Sequence, residues 1–515
     1  MTEEAKDEPR TYFGWQGEKV AFIFGLSGRR AALLGGAVLA ATWPLAVSRA
    51  GLGAVCWPIA GLLLIAALAR IAGRTLDEWA ASALSYALLR IRDRHKFLSG
   101  AFAPRADAPD EPAPMDLPGI LAPIEILQAR SRVDGRALAI AHHRLDRTYT
   151  AVARVRVPGI GLVDSTRRDL RVSAWGGLLS GLCTEGNAIV RVQALQRLVP
   201  KSGAALRRWH ELHADTDAPE VATEVTDALL ATATLATSHR ESVLAFTLDH
   251  RRAAAQIKAA GGGTGGAATV LVRQLTALTS AMRGADLQVE GWLSPRDLAE
   301  ALRTAYDPHS VRSLADERAT ATATTASGGR PPGEPGVDPA LAGPAAAEAL
   351  PGSYRHDGAH SVTYVVHDWP RNQIYSTALA PLLGEGAHRR AFSLYVEPLG
   401  PRRAEQEVMR ERTARDVAIR MRQRSGQVIP EHEQAALDRA RAQDRERAAG
   451  HGLVRFAAYV TVTVTDPDLL DDACAALEAD AAAARISIRR IWMAQDIGFA
   501  LGALPLGMGL PRKRW

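Results

Sequence analysis

The sequence predicts an α+β protein with an N-terminal two-helix transmembrane hairpin, a mixed α+β cytosolic region and a projecting charged helical hairpin. Three observations predict it. Two uncharged apolar runs, Ala31 to Ser48 and Ala50 to Ala69, flank the lone Arg49, and a run of about 18–20 apolar residues is what a helix needs to cross ~30 Å of hydrocarbon. From Gly119 onward, short alternating segments mix with capped helices without a regular βαβ repeat, which favours α+β over α/β. From Pro401 to Gly450 an Arg- and Glu-rich stretch is split by Gly426 and Pro430.

Composition sets the frame. The 515 residues allow two or three domains. They are 47% hydrophobic but only 5% aromatic, and the net charge of +6 is too modest at this length to imply nucleic acid. Three cysteines, Cys56, Cys183 and Cys474, form no CxxC pair and no disulfide framework.

Taken in order, residues 1–28 form an N-terminal interfacial segment in which Tyr12, Phe13, Trp15, Phe22 and Phe24 suit a lipid headgroup layer. The hairpin spans 29–71. Lys19, Arg29 and Arg30 precede it, and Arg70, Arg74, Arg90, Arg92, Arg94 and Lys96 follow. The positive-inside rule then puts both termini on the cytoplasmic side of a bacterial membrane, with two spans. Thr75-Leu-Asp-Glu78 has the form of a capping box and opens a juxtamembrane amphipathic helix over 75–98. The first half of the cytosolic region covers 119–318. In it, strands over 137–141 and 148–157 flank a hairpin connection at 142–147. A helix over 164–182, a strand over 188–198, a helix over 221–237 and a strand over 242–248 follow. Next come a helix over 268–282, a strand over 287–292 and a helix over 294–306 that Ser294-Pro295 opens. The Thr-, Ala-, Gly- and Pro-rich stretch 319–352 reads as a disordered linker. The second half, 353–510, contains strands over 361–366 and 392–396, the helical hairpin 401–450, and a strand–helix–strand set over 453–464, 466–484 and 486–492.

No catalytic, cofactor-binding or metal-ligating set is expected. Gly261-Gly-Gly-Thr-Gly-Gly266 lacks the Gly-Lys-Ser/Thr ending of a P-loop, and its nearest Lys, Lys258, lies upstream. His142-His143, His210 with His213, and Glu431-His432-Glu433 match no zinc spacing. Asp466, Asp468, Asp471 and Asp472 suit the N-terminus of the helix they open. Arg489, Arg490 and Arg512-Lys513-Arg514 are a small basic set, so direct nucleic-acid binding is not expected.

Three blocks carry a resemblance: Trp292-Leu-Ser-Pro-Arg-Asp-Leu-Ala-Glu-Ala-Leu-Arg-Thr-Ala-Tyr-Asp-Pro308, Glu397-Pro-Leu-Gly-Pro-Arg-Arg-Ala404, and Gln495-Asp-Ile-Gly-Phe-Ala-Leu-Gly-Ala-Leu-Pro-Leu-Gly507. With the aromatic-Gly-Trp start and the apolar pair, they resemble actinobacterial membrane proteins of conjugation-type, type IV secretion-like machinery. In those proteins a PrgI-like two-helix segment precedes a domain similar to the N-terminal domain of the type IV secretion ATPase. No Walker motor follows in this sequence. The resemblance therefore implies a non-enzymatic scaffold or adaptor that docks a separate ATPase at the membrane. Its partners would be the lipid bilayer, that ATPase and other membrane subunits, in an oligomeric assembly. The alternatives are an EccE-like structural component of a type VII secretion system and a membrane-surface nucleotide-binding enzyme.

Overall fold

The computed structural model describes residues 28–47, 51, 53–71, 74–102, 115–156, 164–200, 204–215, 217–233, 238–329, 334–370, 377–384, 386, 388–424, 426, 428–429 and 431–509. At the N-terminal side, α1 (Gly28–Ala46) packs on α2 (Gly53–Leu68). The short β1 (Arg70–Ile71) and β2 (Arg74–Thr75) follow, then α3 (Leu76–Ile91) and β3 (Lys96–Leu98). A first half then comprises β4 (Ile124–Arg130), β5 (Ala137–His143), β6 (Thr148–Arg156), α4 (Ser165–Leu182), β7 (Ile189–Pro200), α5 (Ala204–His213), α6 (Glu220–Ala233), β8 (Ser238–Asp249), α7 (Ala254–Ala259), α8 (Gly263–Gly284), β9 (Gln288–Trp292), α9 (Pro295–Tyr306) and α10 (Ser310–Ala326). The second half comprises β10 (Ala346–Ala349), β11 (Tyr354–His356), β12 (Ala359–Asp368), α11 (Ala380–Leu383), β13 (Arg389–Leu399), α12 (Pro401–Arg424), α13 (Glu431–Ala448), β14 (Leu453–Val464), α14 (Leu470–Ala483), β15 (Ser487–Arg490) and α15 (Gln495–Ala503).

Local chemistry sets several of these boundaries. The Asp164 carboxylate accepts from the Arg167 N–H and starts α4. Ser294 and Asp297 bond reciprocally in a capping box, with Pro295 at the first helical position of α9. Burial pushes the Asp297 carboxyl up, but the Ser294 hydroxyl and the Arg318 guanidinium outweigh it and hold the group below the ordinary carboxylate range. The glycine run is a tight corner between α7 and α8. Gly261, Gly262 and Gly263 all have positive φ, and a Cβ on Gly266 would lie 2.7 Å from the Ile257 carbonyl oxygen.

Apart from the β1–β2 ladder, the strands form one thirteen-stranded sheet in the order β3-β10-β11-β12-β14-β13-β7-β8-β6-β5-β4, with β15 beside β12 and β9 beside β6. Every pairing is antiparallel. The two halves repeat one topology: β4-β5-β6-β8-β7 with β9 on β6 matches β10-β11-β12-β14-β13 with β15 on β12. Register proves the correspondence. Val152 stands opposite Ala245, and Ala245 opposite Gln193. In the other half Thr363 stands opposite Thr461, and Thr461 opposite Ala391. The joining β7–β13 ladder pairs Gln193 with Tyr395 and Arg197 with Ala391, so it maps onto itself about the Leu195–Ser393 pair. A pseudo-twofold axis therefore passes through that pair. Loop details follow it: the Leu293 N–H donates to the Val152 carbonyl at 2.9 Å, and the Ile491 N–H to the Thr363 carbonyl at 3.0 Å.

Strand alternation divides the core between the two faces. On one face α9, α15 and residues 504–506 cover Val152, Leu195, Val243 and Ala245 through Leu298, Leu302, Phe499 and Leu504. On the other, α4 and α8 cover Ala151, Ala153, Leu244 and Phe246 in the first half. There α14 covers Val362, Val460 and Val462 in the second half. Each buried Leu, Val or Phe contributes about 1.5–3 kcal/mol.

The structure corrects the membrane reading. Among the described residues no helix is long and apolar enough to cross a membrane. The 16 residues of α2 reach about 24 Å at 1.5 Å per residue, short of ~30 Å. The helix α1 has 19 residues, but its first turn holds Arg29 and Arg30. The two-helix transmembrane hairpin, and the two-span placement with cytoplasmic termini built on it, are overturned. The architecture is a mixture of helices and antiparallel sheet. The aromatic segment before residue 28, Arg49 and the Thr75–Glu78 side chains lie outside the description. The 75–98 stretch is not one helix, because α3 ends at Ile91 and Lys96–Leu98 becomes a strand. Within the stretch read as a linker, α10 runs to Ala326 and Ala346–Ala349 joins the sheet.

Candidate functional site

A seam of buried polar side chains lies at the pseudo-twofold axis, on the face covered by α9 and α15. Alternation along β7 puts Arg191, Gln193, Leu195 and Arg197 on this face, and Arg191, Gln193 and Arg197 are buried. A buried charge needs a partner, and each has one. The Arg191 Nε and Nη2 donate to Glu397 Oε1 at 3.0 and 2.9 Å, and its Nη1 donates to the Gly507 carbonyl at 2.8 Å. The Arg197 Nε donates to Glu241 Oε2 at 3.1 Å, and its Nη1 to the Ala301 carbonyl at 2.7 Å. The Gln193 amide donates to Ser393 Oγ and to the Leu504 carbonyl, and its oxygen accepts from the Gly507 N–H.

This seam obeys the axis. Arg197 reaches the Ala301 carbonyl in α9, and its mate Tyr395 donates from its hydroxyl to the Leu501 carbonyl in α15 at 2.9 Å. Arg389, the mate of Arg191, donates to the Thr304 carbonyl at 2.7 Å. Burial, and then neighbouring Arg197, pull the Arg389 guanidinium down to about 10. Polar side chains here clamp α9, α15 and the 504–507 segment onto the sheet.

The halves differ beneath those covers. In the second half His356 is fully buried. Its Nδ1–H donates to the Tyr306 carbonyl, and its Nε2 accepts from Ser361 Oγ at 2.8 Å, which in turn contacts Thr463 Oγ1 at 2.8 Å. Desolvation pulls its pKa down to about 4, so the ring is neutral. Tyr354, Tyr306 and Phe499 enclose it. The matching places in the first half hold His143, Thr150 and Thr247, with Ala141 where Tyr354 stands. Thr150 and Thr247 keep the hydroxyl pair at 2.9 Å. A narrow cleft with room for about one water molecule, bordered by His143, Asp146, Thr148, Thr150 and Gly507, replaces the aromatic filling. It is smaller than ordinary small-molecule sites.

The residues weighed from sequence are dispersed. His142 bonds Glu125 at 2.7 Å and stacks on Tyr149. The His143 Nδ1 accepts from the Asp146 N–H. His213 stacks on Trp209 in α5. Glu433 pairs with Arg422 across the α12–α13 hairpin, and the His432 side chain lies outside the description. The Asp466 carboxylate accepts from the Asp468 N–H, and Asp471 and Asp472 occupy the first turn of α14. Arg489 bonds His367, and Arg490 lies 4.7 Å over Trp492. Arg512-Lys513-Arg514 lie outside the description. Among the described residues no group of three or more His, Cys, Asp or Glu could hold a metal ion. Cys183 and Cys474 are buried with thiols pushed up by desolvation, which suppresses the reactive thiolate. Sequence reading missed the β7 seam, whose only signal was Arg-x-Gln alternation in a strand.

Two exposed features complete the picture. The helices α12 and α13 are clasped by Arg412–Asp444, Arg422–Glu433 and Arg441–Asp416. The α1–α2 pair leaves Leu39, Trp43, Trp57, Leu62 and Ile65 uncovered in the single chain.

Residues 236–331 match a family model described as "Putative type VII ESX secretion system translocon, EccE". The match begins just before β8 and ends just past α10, inside the first half. No curated protein matches the chain. The likeness is thus to a component of secretion machinery. It favours the type VII alternative over the conjugation-type reading, which it does not support.

Proposed function

We propose that this chain is a non-enzymatic structural subunit of a type VII secretion apparatus. The EccE match over residues 236–331 carries the reading. Its first support is how the conspicuous polar groups are used: Arg191, Gln193, Arg197 and Glu397 are spent on holding α9, α15 and residues 504–507 to the sheet. A second support is the uncovered apolar surface of α1 and α2, since contiguous exposed apolar patches mark interaction sites. The partners of this reading are other subunits of the secretion apparatus, an ATPase among them. No cofactor enters it.

The test is deletion of the gene in its own host, with complementation by the tagged chain. Loss of type VII substrates from the culture medium, their return on complementation, and migration of the tagged chain with a large detergent-solubilised complex are expected. Unchanged secretion, together with migration of the tagged chain by itself, would overturn the reading.

A further inference from the structure

The pseudo-twofold makes the two outer edges of the sheet comparable. At β10 the edge is covered by β3. Phe97 stands opposite Ala347, the Ser99 N–H donates to the Ala345 carbonyl at 2.9 Å, and the Ala349 N–H donates to the His95 carbonyl at 2.8 Å. The mate of β10 is β4. Its inner side follows the symmetry: the Arg144 N–H donates to the Pro123 carbonyl at 3.0 Å, as the Asp357 N–H does to the Ala346 carbonyl at 3.2 Å. The peptide groups of Ile124, Ile126, Gln128 and Arg130 therefore point outward. Among the described residues β4 pairs only with β5. It is a seven-residue edge without Pro, Lys or a bulge, and such an edge is a template for another strand.

We propose that the outer edge of β4 takes an extended segment of a partner protein as an added antiparallel strand, as β10 takes β3. This inference is independent of the secretion reading. The covered edge indicates the chemistry of the occupant: Phe97 leans on the core between exposed Lys96 and Leu98. At β4 the same face carries Ile124 and Ile126, followed by exposed Gln128 and Arg130. The occupant therefore has apolar residues opposite the two isoleucines, an acidic residue opposite Arg130 and a basic one opposite Glu125. A second copy is a poor occupant. The register that sets both isoleucines of one copy against both of the other also sets Glu125 against Glu125, and like charges directly opposite destabilise.

The probe is the capped peptide Glu-Thr-Thr-Thr-Val-Lys-Val, added to the full chain and followed by amide hydrogen exchange. In the free chain the amides of Ile126 and Gln128 should exchange quickly, while those of Leu127 and Ala129 are protected. The peptide should slow the outward pair on the order of tenfold. Gln128→Pro removes one outward N–H but no bond to β5, and should abolish the effect. Arg130→Glu, which leaves the backbone alone, should weaken the peptide about five-fold, and Lys in place of its Glu should restore binding. If Gln128→Pro does not fold, this charge exchange decides. Outward amides already protected in the free monomer, or protected in a dimer, overturn the proposal. So does a peptide without effect, or one indifferent to the charge exchange.

Discussion

The two halves share one topology and register, yet their equivalent positions are filled differently. At the axis the first half supplies Arg191, Gln193 and Arg197, and the second supplies Arg389, Ala391 and Tyr395. Both sets bind backbone carbonyls of the covering helices, one mainly with charge and the other partly with a neutral hydroxyl. Away from the axis, the second half packs His356 among Tyr354, Tyr306 and Phe499, whereas the first leaves a cleft beside His143. Backbone pairing tolerates both fillings because the ladder bonds are blind to side-chain type. The side chains decide how strongly each half is sealed and how it responds to pH.

The largest expected effect separates the two clamps. Arg197→Ala takes the nearer guanidinium from the half-buried Glu241, which keeps Arg154 at 3.5 Å, and strips the Ala301 carbonyl of its charged donor. It should cost about 2–4 kcal/mol, while Tyr395→Phe removes one neutral bond and should cost about 1–2 kcal/mol. Urea unfolding midpoints measure both, and equal losses would break the comparison. Next is pH. The folded pKa of His356 is about 4, against an ordinary 6.5. Folding favours the neutral ring, so its contribution is complete above about 6.5 and is lost as pH falls toward 4, by about 3 kcal/mol. His356→Asn should flatten stability between pH 6.5 and 4 by that amount, and an unchanged slope would remove His356 as the cause. A smaller effect tests the covers. A Cβ on Gly502 would overlap Thr461 Oγ1, and one on Gly507 would overlap Thr247 Oγ1. Gly502→Ala should cost about 1–3 kcal/mol. Gly507→Ala adds the strain of a positive φ and should cost more. Thermal melts order the pair, and the reverse order would show that the 504–507 segment is the looser cover. The smallest effect lies outside the repeat: Arg412→Ala in the α12–α13 hairpin breaks a half-exposed ion pair whose Asp444 keeps Arg447 at 3.4 Å, and should shift stability by under about 1 kcal/mol.

Much of the element content was readable because its signals are local. The hairpin connection at 142–147, the Ser294–Asp297 cap, Asp164 before α4 and the split near Gly426 all depend on neighbouring residues. The strand β4 escaped because Ile-Glu-Ile-Leu-Gln-Ala-Arg alternates on one face only. The helix α10 escaped, its C-terminal half because a Thr- and Ala-rich composition resembles a linker. Apolarity also misled: the runs at 31–48 and 50–69 satisfy a composition window, but α2 is too short and α1 begins before its run, at Gly28, with Arg29 and Arg30 in its first turn. The internal repeat was hidden because equivalent positions share register rather than residue type, as Gln193 with Ala391 and Arg197 with Tyr395 show. The axial seam was hidden for a related reason. An Arg-x-Gln alternation reads as a solvent face, and only α9, α15 and the 504–507 segment turn it into an interior.

That segment also constrains the order in which the molecule assembles. Arg191 and the Gly507 carbonyl it holds are 316 positions apart. During synthesis β7 leaves the ribosome long before its cover exists, and its Arg-lined surface must wait in water or on a chaperone. Contacts this distant in sequence slow folding. The first half should therefore reach its final protection against proteases only after the second half has been made.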